Sequence, residues 1–124
     1  MENKMTELQL QAACTVWFQN NMRDYRGRFR RVKNETDLKG KFGARMGALN
    51  KTTGIVAGTW DAFLMVEPIV WIEFKTDAGA LSTDQKAFKA IGEKLGWNFV
   101  VIRTLQEFQN MANFFFVEMA VKNR

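Results

Sequence analysis

Within the run Trp71–Lys75 (WIEFK), Glu73 and Lys75 stand one residue apart in an otherwise apolar stretch, and Asp61 lies a short way upstream. On an extended strand, residues i and i+2 share a face. An acid and a base would therefore stand side by side on a strand that reads as core, where a charge taken out of water must be paired or bound to a metal. Asp61 and Glu73 offer hard oxygen ligands suited to Mg²⁺, with Mn²⁺ as the alternative, an ion that binds through one or two carboxylates and keeps several waters. The backbone carbonyl of Phe74, between the two charged side chains, could add another oxygen. Such an ion would polarise a phosphoryl oxygen and acidify a bound water, while Lys75 orients that water or offsets developing negative charge. The same E-x-K triplet also fits a surface ion pair on a strand.

Two strands must position these groups. Trp60 to Val66 and Ile69 to Lys75 read as a hairpin turning at Glu67-Pro68, where proline ends ladder pairing. Val70, Ile72 and Phe74 share one face of the second strand; Trp71, Glu73 and Lys75 share the other. For Asp61 to join them, the register must set it opposite Glu73 or Lys75 and not Phe74. A slip of one residue turns it to the wrong side.

The charge distribution adds a partner. From Arg23 to Lys51 there are ten Lys or Arg against three acids, a net +7, whereas the remainder of the chain carries a net −2. A basic excess confined to one segment is the footprint of a polyanion-binding surface, although a solvated, solubilising face has the same composition. Asp37 to Gly58 holds five of the nine glycines among Lys and Arg, and reads as a long mobile loop of the kind that is functional or disordered. Its glycines match neither a phosphate-binding loop nor a dinucleotide fingerprint.

The chain has no His, which excludes the Ser-His-Asp triad and His-ligated zinc hydrolases. The single Cys14 rules out an intramolecular disulfide and points to the cytoplasm, and in its apolar run it reads as a buried side chain. No stretch reaches the roughly 18 apolar residues of a membrane span, and the polar N-terminal run lacks a secretory signal's apolar stretch. At 124 residues the chain reads as a single domain.

Around the hairpin, Thr6 to about Asn21 reads as a helix with Leu8, Ala12, Ala13, Val16 and Trp17 at helical spacing. RGRFRRVKN reads as a short strand with a basic face. A capping box from Ser82 to Gln85 starts a second helix with the stripe Ala87, Phe88, Ile91 and Leu95, ended by Gly96. Asn98 to Arg103 is a β-branched strand whose apolar middle places it within a sheet. Thr104-x-x-Glu107 starts a last helix with Leu105, Phe108, Met111, Ala112, Phe115, Phe116 and Met119 on one face. The strand–helix–strand unit implies a parallel pair with a right-handed crossover. The fold class is α/β, a mixed central sheet flanked by helices.

GTWD (Gly58 to Asp61), IEFK (Ile72 to Lys75), GALSTDQKAF (Gly79 to Phe88) and the strand VVIR, in this order and spacing, resemble the PD-(D/E)XK nuclease superfamily. The chain is most similar to its VRR-NUC branch, small nucleases related in fold to Holliday junction resolvases, from Glu7 to about Glu107. The resemblance implies a restriction-endonuclease-like core, Asp61 and Glu73 as metal ligands and Lys75 as the catalytic lysine. It also implies that Glu7 reaches the metal site and that Gln85 faces it. For Glu7 an ordinary first-turn acid, and for Gln85 the capping box alone, are the competing roles. Trp60 stands where the family has Pro, a position that shapes the strand entrance without carrying chemistry.

The expected activity is Mg²⁺-dependent endonucleolytic hydrolysis of DNA phosphodiesters, at branched or otherwise structured DNA. Arg28, Arg30, Arg31, Lys39, Lys41, Arg45 and Lys51 would contact phosphates. The alternatives are a non-catalytic DNA-binding module of the same fold and an interaction subunit of a replication or repair complex. Phe114–Phe116 exceeds what one helix face needs; core packing and a homodimer interface both accommodate it.

Overall fold

Thr6 opens the first helix. Its hydroxyl accepts from the Gln9 N–H (3.1 Å), and the Gln9 side chain accepts from the Thr6 N–H (2.9 Å), a reciprocal capping box. The computed structural model describes residues 5–32 and 56–122, and in it this helix, α1, spans Glu7–Asn21. Of the loop expected over Asp37 to Gly58, only Val56–Gly58 falls within the described residues. Lys39, Lys41, Arg45 and Lys51 lie outside them.

The core face of α1 is not the one expected. Leu10, Cys14 and Phe18 are buried, with Met22 just beyond, whereas Leu8 and Val16 are 62% and 60% exposed. Apolar residues surround this helix on most sides, so spacing alone selects no face. What decides is the aromatic cluster: Phe18 meets Phe29, Phe108 and Phe116 at ring separations of 5.6, 6.3 and 5.7 Å. Burying one such ring contributes about 1.5–3 kcal/mol.

Four strands form one mixed sheet in the order β1-β2-β3-β4, with β1 at Phe29–Arg31, β2 at Ala62–Leu64, β3 at Val70–Phe74 and β4 at Asn98–Ile102. β1, β2 and β3 are antiparallel neighbours, and β3 pairs parallel with β4 through the crossover helix α2, Thr83–Lys94. The expected parallel pair and mixed α/β sheet are thus present. The expected interior place of β4 is not: among the described residues it is an edge strand. It reads as apolar because both its faces are covered, Phe99 by Trp60 and Phe88, and Ile102 by the core.

The expected stripe of α2 is also corrected. Ile91 and Leu95 are 63% and 62% exposed, and the helix meets the sheet through Gln85, Phe88 and Gly92. Gly92 is the point of closest approach, since a Cβ there would overlap the Phe99 and Trp97 rings. A glycine contact is invisible to a hydrophobicity pattern. Gly96, at φ +82°, ends α2 as expected, with the Trp97 N–H on the Gly92 carbonyl and the Gly96 N–H on that of Glu93.

Helix α3, Leu105–Asn113, is capped by Thr104, which accepts from the Glu107 N–H at 3.1 Å. It continues through a π-helical turn, Phe114–Glu118, into α4, Met119–Lys122. Phe108, Met111, Ala112 and Phe116 reach the core as expected, while Phe114 stays 41% exposed. Among the described residues no helix is long and apolar enough to cross a membrane.

Candidate metal and catalytic site

The β2–β3 register pairs Ala62 with Ile72 and Phe63 with Trp71, which sets Asp61 opposite Glu73. This is the register the site requires. Alternation explains it: Ala62, Leu64, Val70, Ile72 and Phe74 are all 1% exposed or less on the core side, so a slip would bury charge there.

Asp61 sits where β2 leaves the ladder. Its Oδ2 accepts the Phe74 N–H at 2.9 Å, taking the place of a strand carbonyl, and its own N–H donates to Glu73 Oε1 at 3.2 Å. Glu73 is 2% exposed, the one buried charged side chain among the described residues. Its Oε2 accepts from Gln85 Nε2 at 2.6 Å and lies 3.6 Å from Lys75 Nζ. Asp61, Glu73, Lys75 and Gln85 therefore meet at one end of the sheet.

Gln85 both completes the capping box and contacts Glu73. Its Oε1 accepts the Ser82 N–H (2.8 Å) and its N–H donates to Ser82 Oγ (3.1 Å), leaving the amide Nε2 to turn toward Glu73. The capping box thus fixes the rotamer that reaches the carboxylate. Glu7 is exposed in the first turn of α1, and its charge is felt at Asp61. The Phe74 carbonyl lies on the backbone between Glu73 and Lys75, and the Phe74 side chain belongs to the core.

Two positioning residues were not legible as such. Trp60 is 1% exposed; its indole N–H donates to the Gln85 carbonyl at 3.0 Å and its ring meets Phe99. It ties the first turn of α2 to the strand entrance. Gly58 has φ +89°, and a Cβ there would fall 2.5 Å from the Asp84 carbonyl carbon. Only glycine allows the loop to pass so close to α2.

Electrostatics mark the pair. Burial, then the charge of Asp61, push the Glu73 carboxyl up to about 8, with Lys75 acting in the opposite direction. Burial likewise raises Asp61, and Glu7 adds to the rise, while the Phe74 N–H opposes it. Two desolvated carboxylates that repel one another are costly to ionise together, and a divalent cation between them would remove that cost. Among the described residues, no group of three or more His, Cys, Asp or Glu side chains is placed to hold a metal. The donor set is two carboxylates, which fits an ion that keeps most of its waters.

Of the phosphate-contact candidates, Arg28 and Arg30 are exposed, Arg28 lying 5.7 Å from the Tyr25 ring centroid and Arg30 donating from Nε to the Gly27 carbonyl at 2.7 Å. Arg31, also exposed, lines a separate groove beside α1 with Leu8, Ala12 and Val16. No family model, curated protein or solved structure matches this chain.

Proposed function

We propose that this protein is a divalent-cation-dependent endonuclease with a restriction-endonuclease-like core, hydrolysing DNA phosphodiesters. The observation that carries the proposal is the convergence of Asp61, Glu73, Lys75 and Gln85, with both carboxyls driven upward by burial and Glu73 further by the charge of Asp61. Asp61 and Glu73 would hold Mg²⁺ or Mn²⁺, with the Phe74 carbonyl as the backbone ligand. When bound, the ion supplies Lewis-acid polarisation of the scissile phosphate and of the attacking water.

The chain's own residues do the rest. Lys75 projects its ammonium beside Glu73, where it can orient the water and offset charge as the phosphate becomes more negative. Gln85 holds Glu73 by one oxygen while Ser82 holds Gln85, so the carboxylate is set before the ion arrives. Trp60 locks the helix that carries Gln85. Water's oxygen forms the new bond to phosphorus and gives up its proton to solvent, the ester P–O bond breaks, and the departing oxygen takes a proton from solvent or Lys75. Arg28, Arg30 and Arg31, with Lys39, Lys41, Arg45 and Lys51, would supply phosphate contacts.

The test is nicking of supercoiled plasmid and of branched DNA in Mg²⁺, Mn²⁺ or EDTA, beside Lys75→Ala. Metal-dependent nicking by wild type, lowered at least a hundredfold in the variant, is the expected result. Should wild type leave every substrate uncut in either metal while still shifting it on a gel, the protein is a binding module.

A further inference from the structure

The face that carries Asp61 and Glu73 continues into an aromatic surface. One step along both strands, Phe63 pairs with Trp71, and their rings lie 5.2 Å apart at a 51° tilt. Arg30 pairs with Phe63 on the outer side. Helix α2 lies over the β4 side, where Phe88 meets Trp71 edge-on at 4.9 Å. Over β1 and β2 the described residues leave this face uncovered. Ala62 and Leu64, pointing to the core, are 1% and 0% exposed, whereas Met65 is 50% exposed, Phe63 is half-buried and Arg30 is exposed. A groove of about 560 Å³ runs from Phe63 toward the hairpin turn, lined by Arg28, Phe63, Met65, Val66, Glu67 and Ile69.

We infer that this Phe63–Met65–Ile69 face, rimmed by Arg28 and Arg30, receives unpaired nucleobases of the strand being cut. The inference rests on the nuclease proposal and names its substrate class: DNA with a single-stranded arm next to the scissile phosphate. Two observations favour a nucleic acid. The surface is continuous with the acidic pair: Phe63 and Trp71 stand two residues, about 7 Å of strand, from Asp61 and Glu73, within reach of a nucleotide adjoining a phosphate held there. The charge is complementary, with two guanidinium groups against the single carboxylate of Glu67. An aromatic ring on an open sheet can stack only on a base whose face is free, and a basic rim beside it follows the backbone.

The experiment measures binding by fluorescence anisotropy in EDTA, comparing oligothymidine and a single-arm fork with a blunt duplex. Wild type should prefer the single-stranded and forked probes. Phe63→Ala should weaken their binding about tenfold, as loss of one base–aromatic stack does, and narrow the gap to the duplex. Phe63→Leu keeps apolar bulk without a ring and should fail in the same way. Recovery of full affinity by the leucine variant would assign Phe63 to packing and overturn the inference. So would equal wild-type affinity for all probes, or a change of mass in light scattering with DNA affinity unmoved, which would make the face a protein interface. Mn²⁺ titration of wild type reports on the acidic pair alone, so the two proposals fail separately.

Discussion

Replacing Asp61 by Asn should stabilise the metal-free protein while removing its metal binding. The Asn side-chain oxygen can still accept the Phe74 N–H, and its amide can face Glu73 as a donor, so the hydrogen bonds survive and the carboxylate repulsion does not. Lifting the Glu73 carboxyl from its usual 4.5 to about 8 corresponds to roughly 5 kcal/mol, at about 1.4 kcal/mol per pH unit. Burial is the larger cause and persists in the variant, so Asp61→Asn recovers the smaller part of this. Unfolding entropy of about 2.1 cal/mol/K per residue over 124 residues makes each kcal/mol recovered a Tm rise of about 4 °C. The sign depends on pH. A folded-state pKa above the unfolded one means a contribution fully present below about 4.5 and lost as pH rises through about 8. The wild-type protein in EDTA should therefore lose stability across that window, and the gain in Asp61→Asn should be small at its acid end and full at its alkaline end. Calorimetric melting in EDTA across this range is the assay. A variant less stable than wild type throughout would show Asp61 to be a net structural asset and refute the account of a strained pair.

Gly58→Ala should cost about 1–3 kcal/mol, because it combines a positive φ with a clash against the Asp84 backbone, and plasmid nicking should fall with it as the first turn of α2 shifts. Thermal melting and nicking of the same preparation check both effects. Ser82→Ala should lower stability by about 1 kcal/mol through loss of the cap and reduce cleavage further by freeing Gln85 from Glu73, measured as kcat at a temperature where the variant is fully folded. Cys14, whose thiol burial pushes up to about 12, should resist alkylation in the native protein and react on unfolding, read by mass spectrometry; stoichiometric labelling of native protein would contradict its place in the core.

The geometry of the site was more legible than the packing around it. Strict alternation in β3 forces Glu73 and Lys75 to one side, and the core residues of β2 then leave Asp61 a single usable register. The capping box made Gln85 legible as a cap, while its place beside Glu73 came only from the resemblance; neither revealed that the cap steers its amide. The helices were harder. α1 carries apolar residues on several sides, and only the ring cluster around Phe18 selects the Leu10–Cys14–Phe18 face. α2 docks through Gly92, which a hydrophobicity pattern treats as neutral, so Ile91 and Leu95 were assigned inward and stand in solvent. β4 has the apolar composition of an interior strand because helices cover both its faces, and composition does not report on its edge. Trp60 is the tie between strand and helix, a role that depends on an indole N–H reaching a carbonyl 25 residues away.

The central claim is that Asp61 and Glu73 form a divalent-cation site. Electron paramagnetic resonance of free Mn²⁺, titrated with protein at about pH 8, where Glu73 begins to shed its proton, tests it most directly. Wild type should remove Mn²⁺ from solution with saturable binding that weakens as pH falls and protons compete for Glu73. Asp61→Asn and Glu73→Gln should each abolish that binding. Wild type that binds no Mn²⁺ while folded, or variants that bind it as wild type does, would contradict the claim.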